Sequence, residues 1–118
     1  MADDRISLGQ TSEELAATAM HNRGYRIIER NHRDHGGEID IVARRGGEMV
    51  FVEVRSRRGS SGDEAADSIA DRKRVRVRGV AQRYLDVRPI DYEEVRFFVI
   101  TVSWTGADAQ CTVIEDAF

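Results

Sequence analysis

The stretch Glu38-Ile39-Asp40-Ile41-Val42-Ala43-Arg44-Arg45-Gly46-Gly47-Glu48-Met49-Val50-Phe51-Val52-Glu53-Val54-Arg55 reads as two β-rich runs, 38–43 and 49–54, joined by a glycine turn. Arg44-Arg45-Gly46-Gly47 is a strong hairpin signal, because paired glycines supply the backbone freedom that a tight β-turn needs. Side chains alternate across a strand, so Ile39, Ile41 and Ala43 share one face while Glu38, Asp40 and Val42 share the other. In the second run Val50, Val52 and Val54 face one way, and Met49, Phe51, Glu53 and Arg55 the other. Each strand therefore has an apolar face and a face that ends in charge. Ordinary hairpin pairing lets Asp40 and Glu53 meet on one side, beside Arg55.

Two carboxylates about 4 Å apart repel by ~4 kcal/mol at an effective dielectric near 20. A shared proton, a neighbouring arginine or a bound divalent cation would relieve that repulsion. The plainer reading is a Glu53–Arg55 salt bridge on a solvated strand, which contributes little. Against it, Glu53 interrupts Phe51-Val52 and Val54, a run that reads as a buried central strand, where a charge needs a partner or a task. The two readings stay open on these residues alone.

Working outward, Thr11-Ser12-Glu13-Glu14 has the form of a capping box, which predicts a helix starting there after a loose tail over 1–10. Leu15, Ala16, Ala19 and Met20 recur at helical spacing, and Gly24 is a plausible stop. Tyr25 to Glu29 suggests a strand, with a polar connector running through His35-Gly36-Gly37. Residues 57–64, Arg-Arg-Gly-Ser-Ser-Gly-Asp-Glu, lack a hydrophobic anchor and are expected to be mobile. A long helix follows over roughly 66–86, ending before Pro89. Phe97 to Val102 and Thr112 to Ile114 supply two more strands. The order is α-β-β-β-α-β-β, one mixed α/β domain over 1–118 with no internal repeat.

On the second helix, advancing about 100° per residue from Ile69 puts Val80, Tyr84 and Val77 near 20°, 60° and 80°. Lys73 falls near 40° on the same count, in the middle of that apolar stripe. It is the chain's only lysine; the other 17 of its 18 basic residues are arginine. A snorkelling lysine would cover core with its stem and reach solvent with its head. Alternatively the ammonium is delivered towards the hairpin carboxylates.

Composition narrows the remaining classes. The 118 residues are 41% hydrophobic and 33% charged, which suits a folded domain with a sizeable core. The longest apolar-rich stretches, Met49 to Val52 and Phe97 to Val102, are too short to span a bilayer. Met1-Ala2-Asp3-Asp4 is acidic rather than basic-then-apolar, so no export signal and no membrane partner is expected, and the expected compartment is the cytoplasm. Cys111 stands alone, which excludes an intramolecular disulfide, and it reads as a packing residue. His32 and His35 lack the supporting ligands of a metal site and read as loop histidines. The net charge of −3 argues against general nucleic-acid affinity. Yet Arg55, Arg57 and Arg58, and then Arg72, Lys73, Arg74, Arg76 and Arg78, are tightly clustered, so one face can still be basic.

Three segments together carry a resemblance. Glu13-Glu14-Leu15-Ala16 goes with Gly24-Tyr25-Arg26-Ile27-Ile28-Glu29-Arg30-Asn31. Gly37-Glu38-Ile39-Asp40-Ile41-Val42-Ala43 is followed by Phe51-Val52-Glu53-Val54-Arg55-Ser56-Arg57. Lys73, Ala81-Tyr84-Leu85, Arg96-Phe97 and Asp116-Ala117-Phe118 complete the set. From about residue 9 onward the chain resembles the YraN-like proteins of bacteria, which are similar to archaeal Holliday-junction resolvases and belong to the PD-(D/E)XK nuclease superfamily. The resemblance implies a restriction-endonuclease-like core, a mixed β-sheet flanked by helices, and a divalent metal, Mg²⁺ or Mn²⁺.

It also implies roles. Asp40 and Glu53 match the metal-binding carboxylates, Arg55 takes the place of the motif lysine, and Glu13 resembles an acidic residue on the resolvases' first helix. Val54 would offer its backbone carbonyl to the metal. A carboxylate-held metal activates water and relieves charge on the phosphoryl group, as phosphodiester hydrolysis requires. Arginine at 55 stabilises charge but is a poor general base, so Lys73 becomes the candidate for the missing catalytic cation. Phe98 stands where relatives commonly carry an acid after Arg-Phe.

The implied function is a metal-dependent nuclease acting on branched or otherwise structured DNA, with Arg57, Arg58, Arg72, Arg74 and Arg76 gripping phosphates. Symmetric cutting of two strands would favour a two-fold homodimer, although no dimer face is identifiable. The alternative is a catalytically weak or inactive nucleic-acid-binding module that kept the nuclease fold. Arg55 and the negative net charge favour it.

Overall fold

A computed structural model of the chain describes residues 8–58 and 71–118. Its elements run α1 (Leu8–Asn22), β1 (Arg26–Asp34), β2 (Gly37–Arg45), β3 (Glu48–Arg58), α2 (Asp71–Asp86), β4 (Glu94–Thr105) and β5 (Asp108–Ile114). The α/β class and the α-β-β-β-α-β-β order match the sequence expectation. The strands form one sheet in the order β1-β2-β3-β4-β5. β3 and β4 are parallel and the other neighbours antiparallel, so the sheet is mixed. A parallel pair needs a crossover, and α2 lies in the connection between β3 and β4.

The two helices cover opposite faces. Ala16 and Met20 of α1 pack with Ile41, Ala43, Val50, Val52, Phe98 and Ile100. Val77, Val80, Ala81, Tyr84 and Leu85 of α2 pack with Val42, Met49, Phe51 and Phe97. The alternation expected of 49–54 is thus realised: β3 gives its valines to one layer and Met49 and Phe51 to the other. Phe98 is fully buried in the α1 layer, which accounts for an apolar residue there. Gly24, at φ 91°, ends α1 as expected. The Tyr25 N–H donates to the Met20 carbonyl and the Gly24 N–H to the His21 carbonyl, closing the last turn in a Schellman motif.

Several local expectations are corrected. Helix α1 begins at Leu8, ahead of the expected cap, and 8–10 are not tail. Ser12 lies inside the helix: its buried hydroxyl donates to Ser56 Oγ at 2.7 Å and accepts from Trp104 Nε1 at 2.9 Å. Thr11, the cap of the expected box, lies inside α1 as well. The polar residues Arg30 to Asp34 extend β1 rather than forming a connector. As an edge strand β1 can expose polar side chains while its backbone pairs with β2, with an irregularity between Ile27 and Glu29.

Arg57 and Arg58 belong to β3, which pairs with β4 as far as Arg58↔Trp104; ladder bonds need no apolar side chains. The rest of the expected mobile loop, 59–64, and the start of the second helix, 66–70, lie outside the described residues, as do residues 1–7 of the expected tail. Ile39 packs with Val42 in the α2 layer rather than with Ile41 and Ala43. The β2–β3 ladder ends at Ile41↔Val52, so this end of β2 keeps β1 as its partner, as far as Asp34↔Gly37, and no longer has β3 to hold its alternation. Cys111, expected to pack, is exposed on the edge strand β5. Among the described residues no helix is long and apolar enough to cross a membrane.

Candidate functional site

The point where β2 and β3 part is where the site forms. Past Ile41↔Val52 the backbones no longer pair, and a side chain fills the gap: Asp40 Oδ2 accepts from the Val54 N–H at 2.7 Å. Asp40 is thereby oriented by a backbone group of the strand that carries Glu53. Glu53 is 8% exposed, the one buried acid among the described residues. Helix α2 delivers the third member. Lys73 Nζ donates to Glu53 Oε2 at 2.5 Å, so its ammonium points into the site as one of the two sequence readings required.

These groups line a cleft of about 250 Å³ with Gly37, Glu38, Arg76 and Val77. Burial pushes the Asp40 carboxyl up to about 7, the Glu53 charge adds to the rise, and the Val54 N–H opposes it. The charges of Glu38 and Glu13 act in the same upward direction. The cleft is therefore crowded with negative charge and has one ammonium in direct contact with a carboxylate.

The other candidate residues divide. Arg55 is half-buried, two positions beyond Glu53 on β3 and opposite Thr101 of β4. Glu13 stands on α1, where its Oε1 accepts from Arg30 Nη2 at 3.2 Å and Asn31 Nδ2 at 3.0 Å. Among the described residues no three His, Cys, Asp or Glu side chains are grouped to hold a metal ion, so Glu13 is not gathered with Asp40 and Glu53. Arg76 borders the cleft, while Arg72 is exposed and Arg74 half-buried on the same helix. Arg57 Nε donates to Ser103 Oγ at 3.3 Å, and Arg58 is exposed at the end of β3. His32 meets the Tyr84 ring edge-on and sits 3.1 Å from Glu29, and His35 is exposed in the β1–β2 turn.

Sequence reasoning passed over Glu38 as a cleft residue, although alternation had put it on the Asp40 face. It had no signal for the clamp that seats α2. Arg83 Nε donates to Asp34 Oδ2 at 2.6 Å and Arg83 Nη2 to Asp34 Oδ1 at 3.2 Å, holding the Asp34 carboxyl well below the usual range. This bidentate pair ties the helix to the end of β1, and the same helix carries Lys73.

A model of the family described as "Uncharacterised protein family UPF0102" matches residues 12–102, from Ser12 on α1 to Val102 on β4. The chain belongs to the UPF0102 family. A UPF0102 protein of Moorella thermoacetica is 45% identical over 115 residues, covering 98% of this chain and 95% of the relative. One from Roseiflexus castenholzii is 46% identical over 116 residues, covering 98% and 93%. One from Syntrophus aciditrophicus is 37% identical over 113 residues, covering 96% and 89%. UPF0102 membership is the YraN-like resemblance read from the motifs.

Proposed function

We propose that this UPF0102 protein is a metal-dependent nuclease that hydrolyses phosphodiester bonds in DNA, with branched or structured DNA as its substrate class. The observation that carries the reading is the convergence of Asp40, Glu53 and Lys73 on one cleft bordered by Arg76. The donor set fits a hard divalent cation. Two carboxylates face the same space, where burial first and the Glu53 charge second push Asp40 up to about 7, and a bound cation would offset both. Mg²⁺ needs only one or two carboxylates and keeps several waters, so the absence of a third grouped acid among the described residues does not disfavour it.

Asp40 and Glu53 would hold the Mg²⁺ or Mn²⁺, with the Val54 carbonyl as a further oxygen and Glu13 as a remote contributor of negative charge. Bound there, the cation would supply an activated water and relieve charge on the phosphoryl group. The chain's own residues do the rest. The Val54 N–H fixes the Asp40 rotamer, so the carboxylate is preorganised. Lys73 and Arg76 offer positive charge from one helix to a phosphate entering the cleft, and Arg55 adds a permanent charge from β3. Arg57, Arg58, Arg72 and Arg74 would contact the backbone further out, which positions DNA without reading bases. A two-fold dimer would present two such clefts to two strands.

A second reading is a binding module with little turnover. Arginine at 55 favours it, since that position then lacks a group able to give up its proton near neutrality. One experiment separates them. The protein is incubated with labelled single-stranded, duplex, flap and four-way-junction DNA in Mg²⁺, Mn²⁺ or EDTA, beside an Asp40→Asn/Glu53→Gln double variant. Metal-dependent cutting that vanishes in the variant is the expected result. Salt-sensitive binding without cutting, equal in both proteins, would replace the nuclease by the binding module.

A further inference from the structure

The partners in the Lys73–Glu53 bond are unequal. The Glu53 side chain is 10% exposed and fixed in the wall of the sheet, whereas the Lys73 side chain is 41% exposed and arrives on a flexible stem. If either partner leaves, it is the lysine. Its head is strongly hydrated and can return to water readily, in contrast to a guanidinium locked in a fork. Asp40 leans on the Val54 N–H, a dipole rather than a full charge. The one ammonium of the chain's side chains thus stands against the carboxylate that a divalent cation would also need.

We propose that Lys73 is the resident counter-ion of the Asp40–Glu53 pair and competes with a divalent cation for Glu53. Entry of the cation releases the ammonium towards the cleft mouth, beside Arg76, where a phosphate would meet it. This rests on the metal-dependent reading above. Two cations on one carboxylate repel each other, so occupancy of Glu53 by one weakens the other. The linkage is reciprocal: the factor by which Lys73 lowers cation affinity is the factor by which the cation weakens the Lys73–Glu53 bond.

A single lysine makes the test direct. With ¹⁵N-labelled lysine the protein has one side-chain ammonium resonance, followed while Mg²⁺ is added. In parallel, calorimetry measures Mg²⁺ binding to the wild type, Lys73→Met and Lys73→Arg, with Trp104 fluorescence confirming that each is folded. The ammonium resonance should move and saturate with the affinity found by calorimetry, and Lys73→Met should bind Mg²⁺ about tenfold more tightly. Lys73→Arg, which keeps the charge, should gain nothing. Wild-type binding that leaves the lysine resonance in place, or Lys73→Met binding no tighter than the wild type, would overturn the competition and leave the metal reading standing. Absence of Mg²⁺ binding in every protein would overturn both.

Discussion

Replacing Asp40 by Asn should stabilise the metal-free protein, and increasingly so as the pH rises. The asparagine keeps a side-chain oxygen to accept the Val54 N–H, so the 2.7 Å bond that closes the β2–β3 gap can survive. What is removed is a charge in a site where burial and Glu53 both oppose it. The sign follows from linkage. A carboxyl raised from 3.8 to about 7 on folding binds its proton more tightly in the folded state. Its contribution to stability is full below 3.8, is lost as the pH rises from there to about 7, and is flat above that. The full difference corresponds to about 4 kcal/mol, and with screening by water in this partly open cleft an effect of about 2–4 kcal/mol is expected. In a domain of this size that is on the order of 10 °C in Tm. Urea unfolding with EDTA present, followed by the fluorescence of the single tryptophan, Trp104, at intervals from pH 4 to pH 8, would measure it. The stability of the variant relative to the wild type should climb through that range and level off near pH 7. A difference that is constant with pH, or a variant less stable than the wild type at pH 8, would refute the account of Asp40.

Three further outcomes follow from other parts of the fold. Ser12→Ala should cost about 1–3 kcal/mol, because the Trp104 indole N–H is left without its acceptor in a buried position; the emission of Trp104 should shift with it. Arg96 Nη1 meets Glu48 at 2.9 Å, and its Nη2 meets Glu115 and Asp116 at 2.8 Å each, with its guanidinium over the Phe98 ring. Arg96→Met should cost about 2 kcal/mol at neutral pH, the exposure of Glu115 and Asp116 keeping the figure below that of a fully buried network. Hydrogen bonds hold Glu48 and Asp116 below their usual range, so this contribution is present at neutral pH and fades under acid, where the two proteins' stabilities should converge. Gly46 sits at φ 57° with open space where a methyl group would stand, so Gly46→Ala should cost about 1 kcal/mol through backbone strain alone. Gly46→Asn should cost less, and chemical denaturation of the pair would show the difference.

The hairpin and its faces were legible because strand alternation and glycine turns are local properties. The side chains of Val50, Val52 and Val54 must point one way and those of Phe51 and Glu53 the other, whatever the rest of the chain does. The helical stripe that set Lys73 among Val77, Val80 and Tyr84 is local in the same sense, and it brought the lysine to the correct side of the sheet. The motifs around Asp40 and Glu53 marked the family for a similar reason: they are contiguous.

Elsewhere the decision belonged to distant contacts. Thr11-Ser12-Glu13-Glu14 looked like a helix start because it has the form of a capping box, but it lies within α1, and the Ser12 hydroxyl bonds to Ser56 and Trp104, brought close only by the folded sheet. The polar run Arg30 to Asp34 became a strand because β2 was there to pair with it. That β2 and β3 stop pairing after Ile41↔Val52, so that Asp40 turns to the Val54 N–H, cannot be read from either strand alone. Nor can the bond between Lys73 and Glu53 rather than another acid, since it depends on where the Arg83–Asp34 clamp seats α2. Backbone geometry within a few residues was enough to set the element order, the faces of β3 and α2 and the chemical types available to the site, while the extent of α1 and β1 and the face of Ile39 were not local properties. Which charges touch was left to the folded sheet and its helices, because Coulomb energy and desolvation depend on separation and burial across residues far apart in the chain.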